Sequence, residues 1–235
     1  MKHDAQEFEL FSHVVVIDTR EQFPFAFTGL QADAAQGHRP LIVQTQAGTL
    51  QSGDYSILGA EAEVAIERKS LDDLYGTIGQ GRERFERELA RLQEIAASTA
   101  YSHASVVIEA GWGEIIGAPP RHTRLAPKTV SRSIQAWTFR FPLVHWWTCV
   151  TRRHAESVTF RLLERFTRER QRELLAAIKA ARAAANLATQ NTDPTLIPNP
   201  SKNPLSDAAQ GAPDVCRTQK DLTKTSAGGG PRTMD

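Results

Sequence analysis

Three acidic residues and one lysine stand where a cation and a phosphate group could be handled together. Asp18 ends the apolar run Val-Val-Val-Ile, Asp54 follows a glycine, and Glu67 precedes Lys69 by two residues. Carboxylate oxygens are the ligands that magnesium prefers, so the three acids can hold a divalent cation if the fold brings them together. Such a cation neutralises charge and activates water, which is what hydrolysis of a phosphodiester requires.

The tripeptide Glu67-Arg68-Lys69 has a spacing with mechanistic meaning if it lies in a strand. Side chains alternate between the two faces of a strand, so Glu67 and Lys69 are expected on one face and Arg68 on the other. The Lys69 ammonium, kept charged by the nearby carboxylate, would orient the attacking water or stabilise charge on the phosphate. Arg68 is then either a structural ion-pair partner or a phosphate contact.

Short strands in the first 70 residues must position these side chains. The sequence predicts strands at 14–17, 41–45, 48–51, 55–58 and 63–68. Glycine-containing turns separate several of them, which predicts a meander. Ser70 with Asp73 three residues later resembles a helix cap, so a short helix should follow and end near Gly76. Asp73 is therefore either a capping acid or a catalytic one.

Helices and buried strands are predicted further along the chain. Apolar residues recur at helical spacing from residue 82 to 97, and two ion pairs, Glu83 with Arg87 and Arg84 with Glu88, are expected on the exposed side of that helix. The sequence also predicts strands at 105–109 and 143–150 and helices at 127–139 and 154–185.

The net charge of +1 conceals an asymmetry along the chain. Residues 1–60 contain three basic and seven acidic residues, and residues 61–120 contain six and eleven. Residues 121–172 contain twelve basic and three acidic residues, a net charge of +9. This pattern indicates that one region collects carboxylates and another binds a polyanion, unless the basic residues only form a solvated helix face.

Basic residues that could bind a nucleic-acid backbone lie in that region and at the start of the helix at 82–97. Intrahelical pairing explains Arg84 equally well, so Arg82 is the better candidate there. The predicted DNA-binding residues are Arg82, Arg132, Arg140, Arg152 and Arg153. Backbone contacts carry no sequence information, so selection by the shape of the DNA is expected.

The rest of the composition disfavours several classes of protein. Cys149 and Cys216 indicate neither a disulfide framework nor a cysteine metal site, so we expect a reducing compartment, the cytoplasm or, in a eukaryote, the nucleus. No apolar run approaches the roughly 20 residues that span a membrane, and no secretion signal is recognised. Prolines and glycines predict a disordered tail over 189–235.

Three segments match, in order, the motifs of a known nuclease family. They read Val-Ile-Asp-Thr-Arg-Glu at 16–21, Ser-Gly-Asp-Tyr at 52–55 and Ile-Glu-Arg-Lys-Ser-Leu-Asp-Asp-Leu at 66–74. This set resembles the nuclease domain of the XPF family of structure-selective endonucleases, a branch of the PD-(D/E)XK superfamily. The resemblance continues to the strand at 106–109 and weakens after about residue 145.

The resemblance implies a fold and a set of site residues. The implied fold is α/β, a restriction-endonuclease-like central mixed β-sheet flanked by helices, with a C-terminal helix and a disordered tail. The implied acidic metal-site group is Asp18, Glu21, Asp54 and Glu67, and the residues that assist at the phosphate are Arg20, Arg68 and Lys69. From the residues alone, Glu21 is either a metal ligand or a solvated acid. The implied cofactor is Mg²⁺, with Mn²⁺ as a substitute.

The resemblance also implies an organisation and partners. We expect an N-terminal arm over 1–10, an XPF-type nuclease domain over 11–150 and a helical extension over 151–188. The expected substrate is branched or flapped duplex DNA, and the expected assembly is a homodimer or a complex with a partner subunit. The helix-hairpin-helix modules of many family members are not recognised here. The alternatives are a non-catalytic DNA-binding scaffold subunit and a superfamily nuclease with another nucleic-acid substrate.

Overall fold

Six strands and five α-helices follow one another in a computed structural model that describes residues 8–190. The strands are β1 (Glu9–Asp18), β2 (Leu41–Gly48), β3 (Tyr55–Ile57), β4 (Val64–Lys69), β5 (His103–Ile108) and β6 (Val144–Thr148). The helices are α1 (Leu71–Gly79), α2 (Arg82–Ala96), α3 (Trp112–Gly117), α4 (Pro127–Arg140) and α5 (Arg152–Gln190), with a short 3-10 helix at Ala34–Gln36. Most of the predicted tail, residues 191–235, lies outside the described residues.

The strands form one mixed sheet in the order β2-β1-β3-β4-β5-β6. β1 is antiparallel to β3 and β3 to β4, whereas β4, β5 and β6 run parallel. The predicted α/β class with a central mixed sheet is confirmed. The predicted meander is wrong, because β2 pairs in parallel with β1 and therefore needs the long crossover connection 19–40. No separate strand forms at 48–51, since β2 ends at Gly48.

Both faces of the sheet are covered, and this places the site residues on β4. Ile66 packs in a cluster with Phe160 and Leu163 of α5, whereas Ala65 packs in a second cluster with Leu89 of α2. Since side chains alternate along a strand, Glu67 faces the α2 side and Arg68 faces the α5 side. Burial on both faces also explains why the strands read as continuous apolar runs.

The predicted helices are confirmed, with one addition. α2 buries Phe85, Leu89, Leu92 and Ile95 along one face, as its periodicity indicates. α3 was not predicted, because its six residues include two glycines. No helix among residues 8–190 has the length and apolar character that crossing a membrane demands. Cys149 is buried and unpaired in the same part of the chain.

A buried histidine should make folding depend on pH. The His103 ring stacks on His145 with centroids 5.0 Å apart, and its Nε2 lies 2.6 Å from Ser105 Oγ. Burial, with a further contribution from His145, lowers the pKa of His103 from 6.5 to about 4. His103 is therefore protonated below about pH 6.5 in the unfolded chain, but only below about pH 4 in the folded protein.

Between about pH 6.5 and pH 4, we therefore expect His103 to lower the free energy of unfolding by on the order of 1 kcal/mol for each unit by which the pH falls. The measurement is urea unfolding of wild type and His103→Gln from pH 7 to 4.5. Relative to wild type, the variant should gain stability as the pH falls, because it lacks the group that takes up the proton on unfolding. A stability difference that stays constant with pH would contradict the assignment.

Candidate active site

The main chain brings three acidic residues to one place beside the ends of β1 and β4. Asp18 is the last residue of β1, and its N–H donates to the carbonyl of Asp54 at 2.9 Å. The N–H of Asp54 in turn donates to the carbonyl of Ile66 at 2.8 Å. Because Ile66 directly precedes Glu67, backbone hydrogen bonds alone tie all three acids to one end of neighbouring strands.

The turn that presents Asp54 requires glycine. Gly53 has a φ of 76°, a left-handed conformation that side chains disfavour. A Cβ at this position would lie 3.1 Å from the carbonyl oxygen of Ile66. The Gly53 N–H donates to Glu88 Oε1 at 3.0 Å, so α2 also holds this turn.

Glu67 and Lys69 form a close ion pair on the predicted common face of β4. Lys69 Nζ lies 2.5 Å from Glu67 Oε1, and their side chains are 15% and 10% exposed. The same nitrogen lies 4.8 Å from the ring centroid of Phe85 on α2. Burial raises the pKa of Glu67 in spite of Lys69. Burial alone would lower the pKa of Lys69, but the Glu67 carboxylate reverses this and raises it, so the ammonium stays charged.

Asp54 is the second carboxylate of this arrangement. Its Oδ2 accepts from the N–H of Arg68 at 2.7 Å. Burial, followed by the charge of Glu67, raises the pKa of Asp54 to about 8. Two carboxylates whose pKa values are raised by burial create, once ionised, a negative potential that a divalent cation would relieve.

The donor set fits a hard cation. Within residues 8–190, no three His, Cys, Asp or Glu side chains are grouped as a complete metal site. Magnesium is commonly held by one or two carboxylates, with water and substrate phosphate as its other ligands. The oxygens of Asp54 and Glu67 satisfy that requirement.

Asp18 is committed to other partners. Its two oxygens accept from Arg20 Nε at 2.7 Å, from Arg20 Nη2 at 2.9 Å and from the N–H of Leu50 at 2.7 Å. Burial would raise the pKa of Asp18, but the hydrogen bonds from Arg20 and Leu50 bring it below its usual range. Asp18 therefore orients Arg20, whose side chain remains 66% exposed.

Glu21 and Arg68 form a buried pair on the other side of β4. Arg68 Nε and Nη2 donate to the two oxygens of Glu21 at 2.9 and 3.0 Å. The Arg68 and Glu21 side chains are only 6% and 4% exposed. Arg68 also lies 3.2 Å from Glu109, which pairs with Arg152 at 2.6 Å. Of the two alternatives for Glu21, the solvated acid is wrong, because its side chain is 4% exposed and both its oxygens accept from the Arg68 guanidinium.

These groups line an acidic cavity of about 710 Å³. Its acids are Asp18, Glu21, Asp54, Glu67, Asp72, Asp73 and Glu88, and its cations are Arg20, Arg68, Lys69 and Arg84. The acids outnumber the cations, so the cavity by itself repels a polyanion.

Comparison with known proteins shows the family. The sequence model of the ERCC4 domain matches residues 17–162, more than half of the chain. The chain belongs to the ERCC4 domain family. The matched range contains the three motifs, apart from Val16, and every residue that lines the acidic cavity, so the chain carries a nuclease-type domain. The resemblance to the XPF family is thereby confirmed, and the ERCC4 match extends past residue 150 into α5.

Two solved structures are similar to the ERCC4 domain described here. XPF from Aeropyrum pernix shares 18% identity with a TM-score of 0.46, covering 72% of this chain and 73% of that chain. XPF from Aeropyrum pernix in complex with DNA has the same identity and TM-score, covering 67% of this chain and 66% of that chain. No curated protein gives a significant match.

The capping interpretation of Asp73 holds in this ERCC4 domain. Its N–H donates to Ser70 Oγ at 3.1 Å, and Ser70 Oγ donates to Asp73 Oδ2 at 2.7 Å. This reciprocal pair starts α1 directly after Lys69. Asp73 also lines the cavity, so the start of α1 lies beside the catalytic candidates.

Glu88 is a cavity acid that sequence reasoning missed. The sequence predicts ion pairs of Glu88 with Arg84 and of Glu83 with Arg87, but neither ion pair is present on α2. Glu88 instead accepts from Gly53 and pairs with Arg91, and its charge contributes to raising the pKa of Glu67. No local signal could reveal this role, because Gly53 is 35 residues away in the chain.

Four of the five arginines predicted to bind DNA are engaged within the ERCC4 domain itself. Arg82 and Arg140 pair with Glu86, Arg152 pairs with Glu109, and Arg153 pairs with Glu156. Arg82 also donates to Ser133 at 2.8 Å and lies over the Trp137 ring. The side chain of Arg132 is exposed and makes no hydrogen bond or ion pair with any residue from 8 to 190.

Proposed function

We propose that this ERCC4 domain is a metal-dependent endonuclease that hydrolyses phosphodiester bonds in branched or distorted DNA. The observation that carries the proposal is the ion pair of Lys69 and Glu67, 2.5 Å apart, beside the raised-pKa carboxyl of Asp54. Keeping a partly buried ammonium beside two carboxylates costs folding free energy, and a domain that only binds a partner has no use for such a group. This arrangement therefore favours catalysis over a scaffold role.

Asp54 and Glu67 are the proposed ligands of Mg²⁺, with Mn²⁺ as a substitute. When bound, the cation supplies charge neutralisation at the phosphate and a water of lowered pKa. Asp18 and Glu21, which the resemblance placed in the same group, act instead through the arginines that occupy their oxygens.

Two cations of the cavity are proposed to meet the phosphate. Lys69 keeps its proton and stabilises the negative charge that develops during the reaction. Arg20 is held in place by Asp18 and donates to the carbonyl of Leu50 at 2.7 Å, while most of its side chain stays exposed. A guanidinium held in this way is preorganised to donate to phosphate oxygens.

The proposed substrate is branched or flapped duplex DNA, because the sequence contains no base-reading motif and selection must then rest on shape and flexibility. The localisation, cytoplasmic or nuclear, stays a prediction. The assembly, a homodimer or a complex with a partner subunit, stays one as well.

Cleavage assays test this function. We expect the purified full chain to cut forks, flaps or junctions with Mg²⁺ or Mn²⁺ and to leave them intact with EDTA, because the carboxylates need a cation to admit phosphate. The cut should move with the branch point when that point is shifted along a constant sequence. Intact substrates under conditions where the protein binds them would refute the proposal. Cuts that follow a fixed sequence would refute the substrate class.

A further inference from the structure

We infer that five exposed basic residues, on α2 and on the segment from 121 to 132 that begins beside the acidic cavity, bind the phosphate backbone of duplex DNA. This basic rim consists of Arg84, Arg121, Arg124, Lys128 and Arg132. The inference rests on the proposed function, because it takes the bound polyanion to be the substrate of the cavity. It also replaces most of the DNA-binding set that the sequence predicts, retaining only Arg132.

The twelve basic residues of segment 121–172 divide into two groups. Eight form ion pairs within the described residues: Arg140, Arg152, Arg153, Arg161, Arg165, Arg168, Arg170 and Arg172. The side chains of the other four, Arg121, Arg124, Lys128 and Arg132, are exposed and make no hydrogen bond or ion pair with any residue from 8 to 190. The uncompensated positive charge of the segment is therefore concentrated at its start, and α5 contributes little of it.

The segment that contains these four residues begins beside the cavity. His122, next to Arg121, lines it, and the Nε2 of His122 lies 3.7 Å from Asp72 Oδ1. Lys128 and Arg132 follow on α4, one turn apart. Their neighbours Val130, Ser133 and Ile134 are buried, so the two cations lie on the outward side of that helix.

Arg84 extends the basic rim along α2. It lines the cavity, is exposed, and has no ion-pair partner among the described residues. The guanidinium of Arg82, by contrast, contacts Glu86, Ser133 and the Trp137 ring. Of these two arginines at the start of α2, Arg84 is therefore the one free to meet a ligand.

Charge complementarity identifies the ligand as a polyanion. Acids outnumber cations in the cavity, so basic side chains next to it reduce the repulsion that an approaching phosphodiester meets. Exposed arginine and lysine side chains without internal partners can neutralise phosphates and release their counterions. They carry no base-specific geometry, which matches recognition of the backbone.

Duplex binding by a triple variant tests the basic rim. The variant is Arg121→Ala/Arg124→Ala/Lys128→Ala, and its matched control is Arg165→Ala/Arg172→Ala/Lys179→Ala, which removes the same residue types and charge from α5. Fluorescence anisotropy in EDTA, with the full chain and a labelled duplex, gives affinity as a function of salt. We expect the rim variant to bind roughly tenfold more weakly, with a salt slope smaller by about three, and the control to change by less than about twofold.

Each other outcome is decisive. Wild-type affinity in the rim variant, or an equal loss in the control, overturns the inference, and so does binding to anionic vesicles in place of duplex DNA. Cleavage with Mg²⁺ separates the two proposals. A chain that binds through the basic rim but never cuts supports the rim and refutes the nuclease, whereas a rim variant that binds and cuts like wild type refutes only the rim.

Discussion

The Lys69→Ala variant is expected to cleave DNA about a thousandfold more slowly than wild type. Lys69 Nζ lies 2.5 Å from Glu67 in a cavity where acids outnumber cations. Without Lys69, no ammonium stabilises the negative charge that develops on the phosphate. The Glu67 carboxylate also loses the positive charge nearest to it. The measurement is the single-turnover rate with Mg²⁺ at saturating protein.

Binding measurements distinguish this chemical role from a binding role. The affinity of Lys69→Ala for uncut duplex in EDTA should change by less than about threefold, because this partly buried residue lies outside the basic rim. Lys179→Ala removes the same side chain from an exposed position of α5 and should cleave at the wild-type rate. A Lys69→Ala rate within about tenfold of wild type would refute the catalytic role.

The Arg68→Ala variant should lose about 3–5 kcal/mol of unfolding free energy. Arg68 donates to both oxygens of Glu21, and the side chains of this pair are 6% and 4% exposed. Removal of the guanidinium leaves a buried carboxylate uncompensated, and that desolvated charge accounts for most of the loss. Urea unfolding measures the effect, and the melting temperature should fall by roughly 10 °C.

Two further variants test whether the stability loss comes from the buried charge of Glu21. Arg165→Ala breaks an ion pair in which the arginine side chain is 68% exposed, and should cost less than about 0.5 kcal/mol. Arg68→Met/Glu21→Gln removes both charges and should recover part of the lost stability. A cost below about 1 kcal/mol for Arg68→Ala would show that its ion pair with Glu21 is not structural.

Local patterns of the site could be predicted from the sequence because they depend on neighbouring residues. The period of two in a strand separates Glu67 and Lys69 from Arg68, and the structure shows that separation. The spacing of Ser70 and Asp73 indicates the cap that starts α1. The ordered motifs likewise led to the family, because its residue types and spacing are visible in the chain itself.

The partners of the charged residues were decided only by the tertiary structure. Arg84 was expected to pair with Glu88, yet α2 turns Glu88 toward Gly53 and leaves Arg84 at the cavity. The sequence shows that Arg152 is basic, but not that folding places Glu109 within 2.6 Å of it. Likewise, the parallel pairing of β2 with β1 depends on a crossover that local spacing does not reveal.

The sequence by itself thus determined the residue types of the site, the faces of β4 on which Glu67, Arg68 and Lys69 lie, and the family. Folding decided which carboxylates keep oxygens available for a cation and which cations remain free for phosphate. The physical reason is distance, because an ion pair requires opposite charges within a few ångströms, and contacts between residues far apart in the chain exist only after the sheet and helices have packed.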